Sequence, residues 1–244
     1  MHFLRSRLPN FLQFWGQEDA GADADALELA ARLGTPQAIA RARRVYGFQL
    51  SVTEVLAIKA ALDAQGPCRF LVFGVGHDAP LWHRLNRGGE TCFLEHHDGW
   101  RAQLQARFPE LRIERVAYHT ERRKAAEYLE DPQQMRGDFP RAVTDKRWDV
   151  ILVDGPNGWR AKAPGRMLSI YLASQWVARP GDVFIHDSER SVERTWSARF
   201  LGDAHEKTEI KGRRGHMRHY QLPRLAATEV EKEKMAASCG LGQA

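Results

Sequence analysis

"CRFLVFGVGHDAPLW", residues 68–82, runs apolar from Phe70 to Phe73 and then breaks into Gly74-Val75-Gly76, followed by His77 and Asp78. A short unbroken apolar run ended by glycines reads as a strand buried on both faces. Glycine at its end lets the chain turn sharply and lets a ligand come close to the backbone. In an open parallel sheet, that end of the strand is where ligands sit.

Four more runs follow at wider spacing: Thr91–Leu94, Ile113–Tyr118, Asp149–Val153 and Asp182–Ile185. Their alternation with helical stretches predicts a parallel sheet with right-handed crossovers. The last two runs, "KTEI" and "HMRHYQL", are divided only by "KGRRG". That is hairpin spacing, so the seven-stranded sheet is expected to end antiparallel. Upstream, "SVTEVLAIKAALDAQG" reads as a helix in which Ser51 and Glu54 make a capping box and Gly66 closes the end. Its Val55, Ile58, Ala61 and Leu62 share one face. "DADALELAARLG" and "TPQAIARARRVYG" are two further amphipathic segments ended by glycine, the second opening with the Thr-Pro order that helix starts prefer. The expected division is a helical cap over residues 1–66, an α/β domain over 67–223 and a disordered tail over 224–244.

The 244 residues, 43% hydrophobic and 27% charged, suffice for one large α/β domain with an appendage. No apolar run approaches the roughly 18 residues of a membrane span. The opening "MHFLRSRLPNFLQFWG" is too broken by Arg5, Arg7 and Pro9 for a secretory signal. A cytoplasmic protein is therefore expected, with Cys68, Cys92 and Cys239 as reduced thiols. The net charge of +5 is carried in clusters such as Arg41-Ala42-Arg43-Arg44, Glu121-Arg122-Arg123-Lys124 and Lys211-Gly212-Arg213-Arg214. No aromatic–basic alternation of a nucleic-acid module accompanies them, so neither nucleic acid nor membrane is an expected partner. Solvated faces or an anionic substrate account for them.

Taken alone, the glycine turn has three readings. It is a bare turn, or a dinucleotide site, whose fingerprint Gly74-x-Gly76-x-x-Ala79 satisfies, or a site for S-adenosylmethionine (SAM). N–H groups of the helix after the turn can hold a carboxylate or phosphate. Glu95, at the end of the second run, is placed to take both hydroxyls of a ribose. Asp154 at the end of the fourth run and the reversed last strand favour SAM, because a nicotinamide enzyme would normally continue with a second parallel half. Phe73, His77 and Asp78 around the turn, with Thr120 after the third run, complete the candidate cofactor-binding set.

"WDVILVDGPNGW" and "GDVFIHDSERSVERTW" each end a buried run with acids at its tip, so Asp154, His186 and Asp187 are expected over one cleft. A buried carboxylate without a partner is costly, and such acids have a role or a hydrogen-bonding network. Asp187 or Ser188 alternatively caps the helix starting near Glu189. His186 reads as a base, a metal ligand or a packed histidine. Asp154, His186 and Asp187 are also the candidate ligands of a divalent metal, and the amide of Asn157 is expected to reach the same place. In "APGRMLSIYLASQWVARPG", Met167, Ile170, Tyr171 and Trp176 form the inner face of a helix. Arg166 at its start opposes the helix dipole and is read as kept for an anionic ligand.

"FLVFGVGHDAPLW", "FLEHHDGW", "WDVILVDGPNGW", "APGRM", "DVFIHDSERSVE" and "GHMRHYQL", in this order within residues 50–222, resemble the glucuronoxylan 4-O-methyltransferase-like family of plants, which adds methyl from SAM to glucuronic acid side groups of xylan. The resemblance implies a Rossmann-like class I SAM-dependent methyltransferase fold. It also implies that Gly74, Gly76 and Glu95 line the SAM site and that Asp154, His186 and Asp187 face the reacting centre. Plant members carry an N-terminal Golgi anchor where this chain shows a soluble helical segment, so the xylan acceptor does not follow. The expected function is methylation of a hydroxyl or carboxylate on a sugar acid or small metabolite. One alternative is a cyclase that consumes SAM alone, giving azetidine-2-carboxylate and methylthioadenosine. There the cap would exclude any acceptor, with Phe11, Phe14, Trp15, Tyr46 or Phe48 facing the sulfonium, although packing of the cap on the domain is the readier reading of any one of them. The other is a SAM-binding protein without catalysis.

Overall fold

The computed structural model describes residues 20–202, 206–212 and 215–224. Phe11, Phe14, Trp15, Cys239 and most of the expected tail lie outside them. Three helices come first: α1 (Ala20–Leu33), α2 (Pro36–Tyr46) and α3 (Val52–Gln65). Their ends are set locally as the sequence predicts. Thr35 accepts from Ala38 N at the start of α2, and Gly47 closes that helix at φ 68°. Ser51 and Glu54 make both bonds of the capping box on α3. Val55, Ile58, Ala61 and Leu62 are all buried. Among the described residues no helix is long and apolar enough to cross a membrane.

The rest of the chain alternates strand and helix: β1 (Arg69–Phe73), α4 (Ala79–Leu85), β2 (Glu90–Glu95), α5 (Asp98–Arg107), β3 (Arg112–Arg115), β4 (Ala117–Tyr118), α6 (Ala125–Glu130), β5 (Gly137–Asp138), α7 (Arg141–Thr144), β6 (Trp148–Val153), α8 (Met167–Trp176), β7 (Val177–His186), α9 (Ser191–Leu201), β8 (Glu206–Lys211) and β9 (His216–Leu222). Seven strands form one sheet in the order β3-β2-β1-β6-β7-β9-β8. The pairs β3–β2, β2–β1, β1–β6 and β6–β7 are parallel, while β9 runs antiparallel to both β7 and β8. This is the class I methyltransferase topology expected above. One detail differs. The run Ile113–Tyr118 is two strands, because β4 leaves the main sheet to pair with β5. Val116 N donates to Glu95 O at the point of departure.

The sheet separates two apolar layers. On one face Phe70, Val72, Val150, Leu152 and Phe184 pack with Leu27, Ile39, Ile58 and Trp82, so the N-terminal helices share a core with the sheet. The other face packs Leu71, Phe73, Ile151, Val153 and Ile185 against Met167, Ile170 and Trp196 of α8 and α9. Tyr46 and Phe48 lie in the first core, with the Tyr46 ring 6.3 Å from that of Phe108. They pack the helices on the sheet and are not aromatic walls of a ligand cleft.

Candidate active site

Parallel register puts the site in a single row. Phe73 is level with Leu94 of β2 and with Val153 of β6, and Val153 is level with Ile185 of β7. The next residue in each strand direction is Gly74, Glu95, Asp154 or His186, so four tips line up along the carboxyl edge of the sheet. Register achieves this: each apolar core run stops at the same level.

At the first tip, Gly74 takes φ 100°, a conformation that L side chains resist, and its backbone lies against Gly155. An ideal Cβ on Gly155 would sit 2.9 Å from Gly74 Cα, so the two strand ends touch backbone to backbone. That contact brings Asp154 beside the turn. Gly76 differs from the expectation: a Cβ there would overlap Asp78 Oδ1, so its bareness makes room for that carboxylate as well as for any ligand. α4 has seven residues and carries Pro80, which lacks a donor, so it offers fewer free N–H groups to an anion than the sequence suggests. Phe73 is fully buried and stacked on Trp176 at 5.9 Å, leaving only its backbone near the cleft, where its carbonyl accepts from Asp154 N. His77 is partly buried, 5.3 Å from the Trp100 ring. Thr120 spends its hydroxyl on Pro164 O at 3.0 Å.

Asp78 is buried and accepts from Trp82 Nε1 at 2.9 Å. Burial pushes its carboxyl up to about 6, and the nearby charge of Asp154 adds to the rise. Glu95 is also buried. Its Oε1 accepts from the N–H groups of His96 and His97 at 2.8 and 2.7 Å, which locks the carboxylate in place. Oε2 makes no hydrogen bond among the described residues, so a fixed carboxylate presents one unclaimed oxygen. This is the feature that fits a ribose hydroxyl.

The third and fourth tips form a charged cluster. His186 Nδ1 lies 2.7 Å from Asp154 Oδ1 and 3.7 Å from Asp187 Oδ2. Arg166 Nη2 lies 3.1 Å from Asp154 Oδ1 and 2.9 Å from Asp187 Oδ2, while its Nη1 donates to His186 O at 2.7 Å. The anionic partners of Arg166 are thus the protein's own acids. Asp187 sits at φ 57° and also holds Arg190 at 2.9 Å. It caps no helix: α9 starts at Ser191 with Arg190 as its N-cap. Ser188 instead donates its hydroxyl to His216 O. Asn157 is exposed, and its side chain makes none of the cluster's hydrogen bonds. Arg190, paired with Asp187, and Trp82, donating to Asp78, are parts of the site that the sequence reading passed over. The three-residue step from Asp187 to Arg190 was the one available signal.

Burial alone would raise the Asp154 carboxyl, but the facing charges of His186 and Arg166 outweigh it and hold Asp154 below its usual range. Burial lowers the His186 imidazole, yet the charge and hydrogen bond of Asp154, helped by Asp187, push it up to about 9. At neutral pH the ring is therefore an imidazolium between acids. A raised folded-state pKa stabilises the protein fully below the unfolded value of 6.5, and that contribution is lost as pH rises through about 9. Melting temperature is expected to fall between pH 7 and 10 by several degrees more in the parent than in His186→Gln. Parallel curves for the two would show that the ring is not coupled to folding.

Over 196 residues the chain is 36% identical to glucuronoxylan 4-O-methyltransferase 2 of Arabidopsis thaliana, covering 72% of this chain and 66% of that protein. Arabinogalactan O-methyltransferase 2 of the same plant is 32% identical over 203 residues, covering 73% and 68%. The chain thus spans about two thirds of the length of these relatives. A methyltransferase structure from Pyrococcus furiosus is similar at 15% identity and a TM-score of 0.47, covering 80% of this chain and 97% of that one. The strand order, not that likeness, carries the fold. The family model described as IRX15/IRX15L/GXM matches residues 53–136 and 132–220, and the chain belongs to that family.

Proposed function

We propose that the protein is a SAM-dependent O-methyltransferase acting on a hydroxyl of a sugar or sugar acid. The observation that carries this reading is the aligned row of tips, with the spare oxygen of Glu95 and the Asp154–His186 pair along one edge of the sheet. The relatives named above, sugar polymer O-methyltransferases by name, support the acceptor class. Trp159 supports it too: it is 76% exposed, with the Arg190 guanidinium 4.6 Å over its ring. An exposed ring beside a cation suits a sugar face carrying a carboxylate.

Bound SAM supplies a methyl group on a sulfonium. The chain's part is to aim the acceptor oxygen at that carbon and to take its proton. Asp154 Oδ1 is engaged by His186 and Arg166, and its other oxygen is the one left to accept from an acceptor hydroxyl. As the C–O bond forms and the methyl–sulfur bond breaks, the hydroxyl proton passes to the Asp154–His186 pair, whose imidazolium has first given its own proton to solvent. Arg166 holds both acids so that the pair does not drift. Asp154, His186 and Asp187 also place ligand atoms within 4.8 Å of one another. Two carboxylates and an imidazole suit a divalent cation by donor chemistry, and a cation there would polarise the acceptor oxygen.

Incubation with SAM, with and without a glucuronic acid-bearing xylo-oligosaccharide, tests the reaction by mass spectrometry. S-adenosylhomocysteine that appears only with the acceptor is the expected product, and parallel runs with EDTA or added Mg²⁺ read the metal's share. Methylthioadenosine without acceptor would assign the site to self-cyclisation. Tight SAM binding with no product in any arm would leave a binding protein. For the ribose contact, Glu95→Ala is expected to weaken SAM by about 1.5–3 kcal/mol, roughly tenfold to a hundredfold in Kd by calorimetry. Unchanged affinity would move the nucleoside elsewhere.

A further inference from the structure

Glu54 belongs to α3, ahead of the sheet, and reads at first as nothing more than the third residue of a capping box. Its Oε2 does that work, accepting from Ser51 N at 2.7 Å. Its Oε1 is left over. Glu54 is only 2% exposed, and Oε1 is a buried oxygen without a hydrogen-bond partner among the described residues. An uncompensated carboxylate oxygen in the interior is costly, and a helix cap needs only one of the two. Oε1 faces His186 Nε2 at 3.5 Å. The hairpin closes over it as well: an ideal Cβ on Gly212, just after β8, would lie 2.5 Å from Oε1 and 2.7 Å from Cδ. Bareness at Gly212 therefore lets the backbone seal this carboxylate against the ring.

We propose that Glu54 is a positioning residue for the reacting centre, fixing the His186 ring from its Nε2 side while Asp154 holds the Nδ1 side. The imidazole then lies between two carboxylates, one from the tip of β6 and one from the start of α3. A ring held at one nitrogen can still swing or flip about its Cβ–Cγ bond. Held at both, it keeps one orientation, and Asp154 keeps the oxygen that faces the acceptor. The same arrangement serves a ring that works as a base or as a ligand, because a carboxylate on the second nitrogen orients a histidine in either role. The separation of 3.5 Å is long for a hydrogen bond and short for an ion pair, and contacts of this kind tighten when the site fills. The cap helices are thereby part of the site through one side chain.

This inference rests on the proposed methyl transfer for its kinetic readout, and the test carries a second readout that does not. Glu54→Gln keeps the capping box, since glutamine serves at that position, but replaces the charge facing His186. Ser51→Ala removes the cap's hydroxyl and leaves the Glu54 charge and its Ser51 N–H bond in place. With SAM and the xylo-oligosaccharide, Glu54→Gln is expected to lower kcat about 10–100-fold with little change in SAM affinity, and Ser51→Ala to stay within twofold of the parent. Long-range ¹H–¹⁵N spectra of the histidine rings, with His186 assigned through His186→Asn, should show Nε2 displaced in Glu54→Gln and unmoved in Ser51→Ala. A parent without turnover would defeat the proposed function, yet the ring spectrum would still decide on Glu54. His186 resonances that stay put in Glu54→Gln, or that move equally in Ser51→Ala, would reduce Glu54 to a helix cap.

Discussion

Asp154→Asn is expected to reduce turnover by roughly 10²–10⁴, with SAM affinity changed far less. The substitution keeps the shape of the side chain and removes its charge and basicity. Asp154 bonds both His186, at 2.7 Å, and Arg166, at 3.1 Å. An amide there offers the imidazolium no charge, so the His186 pKa should drop from about 9. Steady-state kinetics with calorimetry for SAM checks both halves. A mutant near the parent rate would make Asp154 a structural acid and move the reacting side to His186 and Asp187.

Arg166→Met should cost the most stability of any single change in the site, about 3–5 kcal/mol. The guanidinium is buried and bridges two acids while donating to His186 O. Removing it leaves Asp154 and Asp187 close together with only His186 and Arg190 against them. For a chain of this size that corresponds to a fall in Tm of roughly 6–20 °C. Arg166→Lys should recover only part of it, because a single ammonium cannot span the same acceptors. A Tm within two degrees of the parent would mean that water, rather than Arg166, compensates the acids.

Elements set by local chemistry were legible in the sequence: the Thr35, Ser51 and Gly47 caps, the glycine turn after Phe73, and the acid-tipped runs at Glu95, Asp154 and Asp187. The mostly parallel sheet with its antiparallel end followed from alternation and the closing hairpin. What escaped was set by tertiary approach. Asn157 follows Asp154 closely in sequence, yet the chain turns it to solvent. Arg166 looked available to a ligand, because nothing in its neighbourhood announced that two distant acids would claim it. The split of residues 113–118 into two strands depended on β5, a two-residue partner with no signal of its own.

The level row of strand tips has a consequence for how such a protein can change. In the parallel strands the tip residues are fixed by phase, so one residue inserted into β1, β2, β6 or β7 would move a tip by about 3.3 Å and turn it to the opposite face. The segments beyond the tips carry no such constraint. Among the described residues, 120–123 and 161–164 are hydrogen-bonded through Thr120 to Pro164 and by two backbone bonds, Arg122 to Ala163 and Arg123 to Ala161. Length changes on either side of that seam leave the row intact. Loop length and composition can therefore vary beyond the tips while the row itself stays locked in the sheet.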